Sequence, residues 1–164
     1  MISVRDANEA DASAIREILV ENFPSPAEAD LVEQLHADGD ARIALVAEED
    51  SDVAGFCMLS EMKASFRALG LGPVSAARSM RGRGVGSMLI KEGLSRAKAG
   101  SWQGVFVLGN PDYYGRFGFK RELAAGFENP YAGPYFLALA LGGDLLPETV
   151  GVVSYPAAFA AMEV

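Results

Sequence analysis

Cysteine, histidine and tryptophan are almost absent from this sequence, since each occurs only once in 164 residues. A single cysteine excludes a disulfide within the chain, and so few cysteines and histidines leave little from which to build a transition-metal site. Cys57 falls in an apolar run typical of a strand, where it is expected to pack as a small hydrophobe rather than act as a nucleophile. His36 falls on a helix-patterned segment and is expected at the surface. We therefore expect no metal centre.

Basic residues are also scarce, because 14 Lys and Arg stand against 22 Asp and Glu, for a formal net charge of −8. This balance argues against general binding to nucleic acid, whose phosphates attract broad basic surfaces. No uncharged apolar run approaches the roughly 18 to 20 residues that a membrane span needs, and the N-terminus lacks a signal-peptide layout. We expect one cytoplasmic domain over residues 1–164, with neither nucleic acid nor membrane as partner and with a homodimer left open.

Apolar residues recur with both strand and helix periods, which predicts a mixed α/β fold. The first half is predicted to contain, in order, strand Ile2–Arg5, helix Ala10–Glu21, a helix opened by the capping box Ser25-Pro26-Ala27-Glu28 and closed by Gly39, and a hairpin of Ile43–Ala47 and Val53–Leu59. The second half is predicted to contain strand Leu69–Ala77, helix Gly84–Ala99, a doubly covered strand Gly104–Leu108, a brief helix Asp112–Phe117, and strands at Phe119, Phe136–Leu141 and Val150–Val153.

A glycine-rich turn, Arg81-Gly82-Arg83-Gly84-Val85-Gly86, joins the predicted strand Leu69–Ala77 to the next helix. Glycine tolerates the dihedral angles of such a turn and leaves backbone N–H groups open to a ligand, while the helix dipole adds partial positive charge. The turn therefore suits an anion such as a pyrophosphate, although a plain strand-to-helix connector has the same pattern.

Two common phosphate-binding motifs do not fit this turn. A dinucleotide fingerprint beginning at Gly82 requires glycine or alanine where Ser87 stands, and the chain lacks an early β-α-β repeat. A P-loop requires Gly-Lys followed by Ser or Thr, where the chain has Ser87 and Met88. A nucleotide-binding Rossmann domain is therefore the weakest of the alternatives.

The pattern that does fit is Arg-x-x-Gly-x-Gly at Arg81, Gly84 and Gly86, followed downstream by Tyr114-Gly115-Arg116-Phe117-Gly118-Phe119. This pair of motifs resembles the GCN5-related N-acetyltransferases (GNAT). The resemblance implies a central mixed, mostly antiparallel sheet that is splayed at the cofactor site. It also implies acetyl-CoA as co-substrate and a primary amine as acceptor, with the amine attacking directly in a ternary complex.

In this family the strand before the turn leaves its neighbour, so its backbone pairs with the pantetheine arm while the turn holds the pyrophosphate. The resemblance also implies a contact between an asparagine after the buried strand and the cofactor arm, although a turn-forming Asn-Pro explains that residue equally well. The cofactor-binding residues implied are Val74, Ser75, Ala76, Ala77, Arg81, Gly82, Arg83, Gly84, Val85, Gly86, Ser87 and Asn110.

Tyr114 occupies the position of the family's general acid, which would protonate the departing thiolate. The alternative is that Tyr114 only packs in the core, and Tyr113 is a neighbour that could be confused with it. Some relatives place a carboxylate base on the strand before the turn, but Leu69–Ala77 contains none. Glu61 is the nearest candidate, with an exposed hairpin-end residue as the alternative.

Two interpretations of the chain are carried forward. The first is an acetyl-CoA-dependent N-acetyltransferase, and the second is an acyl-CoA-binding or regulatory module on the same fold that performs no chemistry. The segment 127–135 is expected to be a crossover loop whose aromatic residues cover the core, with a wall of the acceptor pocket as the alternative.

Overall fold

A six-stranded sheet forms the centre of the computed structural model, which describes residues 1–162. The two last residues of the predicted domain lie outside the described range. The strands are β1 Ile2–Asp6, β2 Ala41–Glu49, β3 Asp52–Glu61, β4 Ala68–Ala76, β5 Gly104–Leu108, β6 Phe127–Glu128, β7 Phe136–Ala140 and β8 Gly151–Val152. The order of strands across the sheet is β1-β2-β3-β4-β5-β7, and a separate ribbon pairs β6 with β8.

Helices cover both faces of the sheet. The α-helices are α1 Ala12–Asn22, α2 Ala27–Ala37, α3 Val85–Ala99, α4 Pro111–Tyr114 and α5 Arg121–Ala124. Single turns of 3₁₀-helix lie at Glu9–Asp11, Arg78–Met80 and Gly115–Phe117, and a longer one lies at Ala157–Met162. No helix within residues 1–162 is both long enough and apolar enough to cross a bilayer.

The pairing of the strands confirms the predicted fold class. β1 to β4 are antiparallel neighbours, β4 runs parallel to β5, and β5 is antiparallel to β7. A doubly wound nucleotide-binding sheet is parallel throughout its core. The mixed, mostly antiparallel order is therefore wrong for a Rossmann domain and agrees with the architecture that the resemblance implied.

The sheet separates two main layers of core, because successive side chains of a strand point to opposite faces. Cys57 and Leu59 point toward α3, where they pack with Leu89 in one cluster. Phe56 and Met58 alternate with them and pack beneath α1 and α2. The helices are thus fixed on opposite faces of β3 and β4, the strands that border the candidate site.

A third cluster, rich in aromatic residues, anchors the C-terminal strands. Phe106 lies at the centre, with its ring 5.4 Å from those of Phe127 and Phe136. Phe127 is buried and Tyr135 is exposed, so the segment 127–135 covers the core at one end and reaches the surface at the other. This agrees with the expected crossover loop.

Two local predictions were wrong. The complete capping box forms at Asn8 and Asp11 rather than at Ser25. The Ser25 hydroxyl accepts a hydrogen bond from the N–H of Ala27 at 3.2 Å, a turn that ends before the helix begins, so α2 starts at Ala27 and not at Pro26. The predicted strand residue Phe119 instead follows a 3₁₀ turn, and only an isolated bridge between Lys120 and Ala138 reaches β7 there.

Candidate functional site

The edge of β4 opens halfway along the strand. β4 pairs with β5 from Ala68 to Leu71, whereas its later residues pair only with β3. The Ala77 N–H donates to the Ala54 carbonyl on β3 at 2.9 Å. Because backbone groups alternate in direction along a strand, those of Val74 and Ala76 point the other way, into the gap left by β5. The splay predicted at this position is therefore present.

The glycine turn lies at the end of this open edge and leads into α3. Gly82 and Gly84 have φ of +80° and +76°, and a side chain built at either would meet no atom within 4 Å. Glycine is thus required at Gly84 by the backbone conformation, and the space beyond it is open. The Met88 N–H donates to the Gly84 carbonyl at 3.0 Å and is the first N–H bonded within the helix. The preceding N–H groups of Val85, Gly86 and Ser87 lie outside the helical ladder, which leaves them available to an anion.

Three arginines surround the turn, and each donates to an acceptor elsewhere in the chain. Arg83 donates to both carboxylate oxygens of Glu49, at 2.9 and 2.6 Å, and it holds the pKa of that carboxyl below its usual value. Arg81 donates to Asn22 Oδ1 at 2.7 Å. Arg78 donates to the carbonyl of Glu21, the neighbouring residue on α1, at 2.6 Å. The structure therefore brings Arg81 and Arg83, the two arginines predicted to bind the cofactor, close to Arg78, and each of the three already has an acceptor within the protein.

Tyr114 closes the short helix α4 beside the gap. Its ring lies against Gly109, the residue that follows β5, and packs edge-on to Phe119 at 5.8 Å. Tyr114 also packs on the core cluster that contains Cys57. Cys57 on β3 is paired with Val74 on β4, so this cluster reaches the open edge of β4. Burial, with a smaller contribution from its neighbours, raises the pKa of the Tyr114 phenol to about 12. The phenol therefore keeps its proton throughout the neutral range.

Asn110 caps the helix that carries Tyr114. Its Oδ1 accepts a hydrogen bond from the Asp112 N–H at 2.8 Å, and Pro111 occupies the first helical position. This is the turn-forming role weighed from the sequence. The cap fixes where the helix begins and thereby sets the position of the phenol.

Sequence reasoning missed Asn22 and named Tyr113 only as a neighbour that could be confused with Tyr114. Tyr113 places its hydroxyl 3.5 Å from where a Cβ of Gly86 would lie, against the first turn of α3. Asn22, the last residue of α1, donates to both the Ser75 hydroxyl and the Ala76 carbonyl, at 2.7 and 2.6 Å. Adjacent residues on a helix point about 100° apart. The sequence therefore indicates that Tyr113 and Tyr114 face different surroundings, but not which of the two faces α3. An asparagine at a helix end signals only where the helix stops, so no signal in the sequence marked Asn22.

Glu61 lies away from the gap. It is paired across the strands with Leu69, five residues along β4 from Val74, or roughly 16 Å at the usual rise of a strand. Its carboxylate accepts from Arg42 Nε at 2.8 Å near the protein surface. The structure does not bring Glu61 together with Tyr114. His36 is exposed on α2, as expected.

The face of the sheet opposite α3 carries aromatic rings beside the gap. The ring of Tyr155 lies over Gly70, where an added Cβ would come within 2.9 Å of it, and packs edge-on to Tyr131 at 5.7 Å. Leu108, at the end of β5, alternates with buried Val107 and is 44% exposed on this same face. The gap can therefore be approached from two sides, with Tyr114 on one and this apolar surface on the other. Within residues 1–162, no group of three or more His, Cys, Asp or Glu side chains is placed to hold a metal ion.

Comparison with known proteins gives consistent findings. The profile of the acetyltransferase (GNAT) family matches residues 12–119. The uncharacterized N-acetyltransferase YhbS of Escherichia coli strain K12 is 34% identical over 153 residues, which cover 88% of this chain and 90% of that protein. The crystal structure of E. coli YhbS in complex with CoA has a TM-score of 0.90 at 30% identity and covers 97% of this chain and 92% of its own. A GNAT family acetyltransferase from Brucella melitensis, in complex with acetyl-CoA, has a TM-score of 0.80 at 34% identity and covers 97% and 98%.

Proposed function

Because the chain belongs to the GNAT family of acetyltransferases, we propose that it transfers the acetyl group of acetyl-CoA to a primary amine by direct attack. The observation that carries this proposal is the open edge of β4 beyond Leu71, which ends at the unbonded N-terminus of α3. An open strand edge suits a chain of amides, and a helix N-terminus suits a diphosphate. A coenzyme A thioester has both parts, an amide-rich pantetheine arm and a diphosphate.

The backbone groups of β4 divide between the sheet and the cofactor. Those of Val74 and Ala76 point into the gap and are proposed to pair with the pantetheine arm. Those of Ser75 and Ala77 point toward β3 and hold the strand in the sheet. The diphosphate would lie on the turn from Arg81 to Ser87, where Gly82 and Gly84 leave open space and the helix N–H groups face outward. Asn110 would act through the cap that it supplies to α4.

The reaction itself needs little from side chains. The nitrogen lone pair of the amine attacks the thioester carbonyl carbon, and the tetrahedral intermediate then breaks its carbon–sulfur bond to give the amide and a thiolate. The thiolate takes a proton from Tyr114, the nitrogen loses a proton to solvent, and Tyr114 regains a proton from solvent, so that the products are the acetylated amine and free thiol. A backbone N–H of the open strand edge, near Ala76, is proposed to polarise the carbonyl as negative charge develops on its oxygen.

No base within the gap is required if the acceptor arrives as the free amine. Glu61 is held by Arg42 at the far end of β3, so the attack is not routed through it. The amine is proposed to enter on the face of Tyr155 and Leu108, because Tyr114 and the turn occupy the other side. A largely uncharged entry surface disfavours the ammonium form of the amine, which supports attack without a dedicated base.

The experiment that tests the proposal follows thiol release from acetyl-CoA by the purified protein across a panel of amines. The panel includes polyamines, lysine peptides, protein N-termini, aminoglycosides and small amine metabolites, and mass spectrometry identifies the acetylated product. Release of thiol that matches the amount of acetylated amine, and that depends on Tyr114, supports the transferase. Tight binding of CoA with no turnover on any amine supports the alternative of a non-catalytic acyl-CoA-binding module.

A further inference from the structure

Asn22 joins three parts of the molecule through one amide group. Its Nδ2 donates to the buried Ser75 hydroxyl at 2.7 Å and to the Ala76 carbonyl at 2.6 Å. Its Oδ1 accepts from Arg81 Nη2 at 2.7 Å. One side chain at the end of α1 thus contacts both the open edge of β4 and the first arginine of the glycine turn.

Of the three arginines at the turn, Arg81 is the one most easily released. Arg83 is held by both oxygens of the Glu49 carboxylate, and Arg78 is held by the carbonyl of Glu21 with the Glu21 carboxylate 3.6 Å away. Arg81 is held by a neutral amide oxygen. Hydrogen bonds between two charged groups are stronger than those to a neutral acceptor. A diphosphate would therefore draw Arg81 from its present partner before either of the others.

We propose that Asn22 is a positioning residue that couples the glycine turn to the segment 23–26 between α1 and α2. The inference rests on the proposed function, because the anion concerned is the diphosphate of coenzyme A. When Arg81 turns to the phosphates, Asn22 Oδ1 loses its partner while Nδ2 stays bonded to β4. We expect this loss to change the end of α1, which Asn22 closes, and the chain that follows it.

Asn22 also sets where the open edge ends. The Ala76 carbonyl points into the gap and already accepts the Asn22 amide, so Val74 and the Ala76 N–H are the groups of this edge most available to a pantetheine arm. The same side chain therefore limits the length of the pantetheine contact and responds to the diphosphate beyond it. This links the donor site to the helices on the opposite face of the sheet, from which the amine is proposed to approach.

Two substitutions separate this role from a merely structural one. Asn22→Ala removes every contact of the amide and leaves Arg81 free. Asn22→Asp keeps the shape but gives Arg81 a carboxylate partner and places negative charge near the Ala76 carbonyl. The matched control is Asn8→Ala, because Asn8 caps the other end of the same helical segment and lies outside the gap. CoA affinity is measured by titration calorimetry, and hydrogen exchange is measured with and without CoA at the N–H groups of Phe23, Ser25 and Ala27.

In the wild type and in Asn8→Ala, CoA is expected to change the exchange rates at these three amides. In Asn22→Ala that change is expected to disappear while CoA still binds at least as tightly, since no contact to Arg81 has to be broken. Asn22→Asp is expected to bind CoA roughly tenfold more weakly than Asn22→Ala, because the new ion pair must be broken. The coupling is wrong if CoA alters the three amides equally in the wild type and in Asn22→Ala. It is also wrong if the Asp and Ala variants bind CoA equally well.

Failure of the proposed function has a different signature. If titration calorimetry detects no binding of CoA to the wild type, the proposed acetyl-CoA site is wrong, and so is the coupling through Asn22. If the wild type binds CoA and transfers acetyl groups but the variants show no difference in exchange, only the role of Asn22 is overturned. Thermal unfolding by circular dichroism confirms that each variant is folded before its affinity is compared.

Discussion

Leu71 and Val107 are the last residues at which β4 and β5 are paired. Beyond them β4 continues along β3 to Ala76, whereas β5 ends at Leu108 and the chain turns into α4. Unpaired backbone groups at a strand edge must be satisfied by water or by a ligand. The separation of these two strands therefore creates the proposed acetyl-CoA site, and the glycine turn and Tyr114 follow the ends of the same two strands.

The conformation of the glycine turn can be tested with a matched pair of substitutions. Gly84 and Gly39 have nearly equal φ, +76° and +77°, and an added Cβ meets no atom within 4 Å at either position. We expect Gly84→Ala and Gly39→Ala to cost a similar stability of about 1–2 kcal/mol, from the left-handed backbone alone. Only Gly84→Ala should also weaken CoA binding, because Gly39 lies at the end of α2. Equal CoA affinity in the two variants, measured by calorimetry, would contradict the proposal that the glycine turn binds the diphosphate.

Removal of one hydroxyl tests the general acid. We expect Tyr114→Phe to keep CoA affinity, since the ring packing is retained, and to lose roughly 10²–10⁴-fold in turnover, since the thiolate loses its proton donor. Tyr113→Phe is the control on the neighbouring residue and should lose far less turnover. Both are measured as thiol release at saturating acetyl-CoA. Equal losses in the two variants would mean that the hydroxyl of Tyr114 has no special role.

The pH dependence of turnover provides a second test of the same group. A general acid works while it is protonated, so activity should fall as the pH rises through its pKa. Burial raises the pKa of Tyr114 from 10.0 to about 12, which moves that fall to higher pH. We expect kcat to show no falling limb near pH 10 in the wild type. A limb centred near pH 10 would indicate that the acid is exposed, or is another residue.

The elements of the fold were predictable where they depend on local patterns. The apolar runs of β2 and β3 and the apolar stripe of α3 each reflect burial on one or two faces, and these patterns are visible in the sequence. The small errors at Ser25 and Phe119 concern ends of elements, where one hydrogen bond decides the boundary. The splay of β4 was inferred through the resemblance, although Gly72 and Pro73 interrupt the strand pattern between the paired residues and Val74.

Contacts between distant side chains were not predictable in the same way. Asn22 meets Arg81, and Glu49 meets Arg83, across 59 and 34 positions of the chain. Each pair forms only because the fold brings the end of one element to the glycine turn. The sequence indicated two arginines in the glycine turn, but it held no signal of the acceptors that already bind them. These pairs show that anion binding at the turn competes with contacts inside the protein.

That competition can be measured at Glu49. We expect Glu49→Gln to bind CoA several-fold more tightly than the wild type, because Arg83 is then held by a neutral amide and becomes available to phosphate. The gain should shrink as salt is added, since it depends on the attraction between the guanidinium and the phosphates. The control is Glu48→Gln, at the neighbouring residue, which contacts Arg5 instead. Weaker CoA binding in Glu49→Gln would show that the ion pair shapes the turn for its ligand.

The stability of the fold at acid pH depends on a second ion pair, remote from the site. Asp11 accepts two hydrogen bonds from Arg5, at 2.8 and 2.9 Å, and one from the Asn8 N–H, and the contact with Arg5 lowers its pKa. A carboxyl with a lowered folded-state pKa contributes stability above its unfolded value of about 3.9, and that contribution is lost as the pH falls through the folded value. We expect Asp11→Asn to cost about 1–3 kcal/mol at pH 7, because its side chain is buried and charged hydrogen bonds are lost. The difference in free energy of unfolding between the wild type and Asp11→Asn, measured by urea unfolding, should become smaller below pH 4. A difference that stays constant from pH 7 to pH 3 would mean that packing of the helix end, and not the charge of Asp11, stabilises this corner.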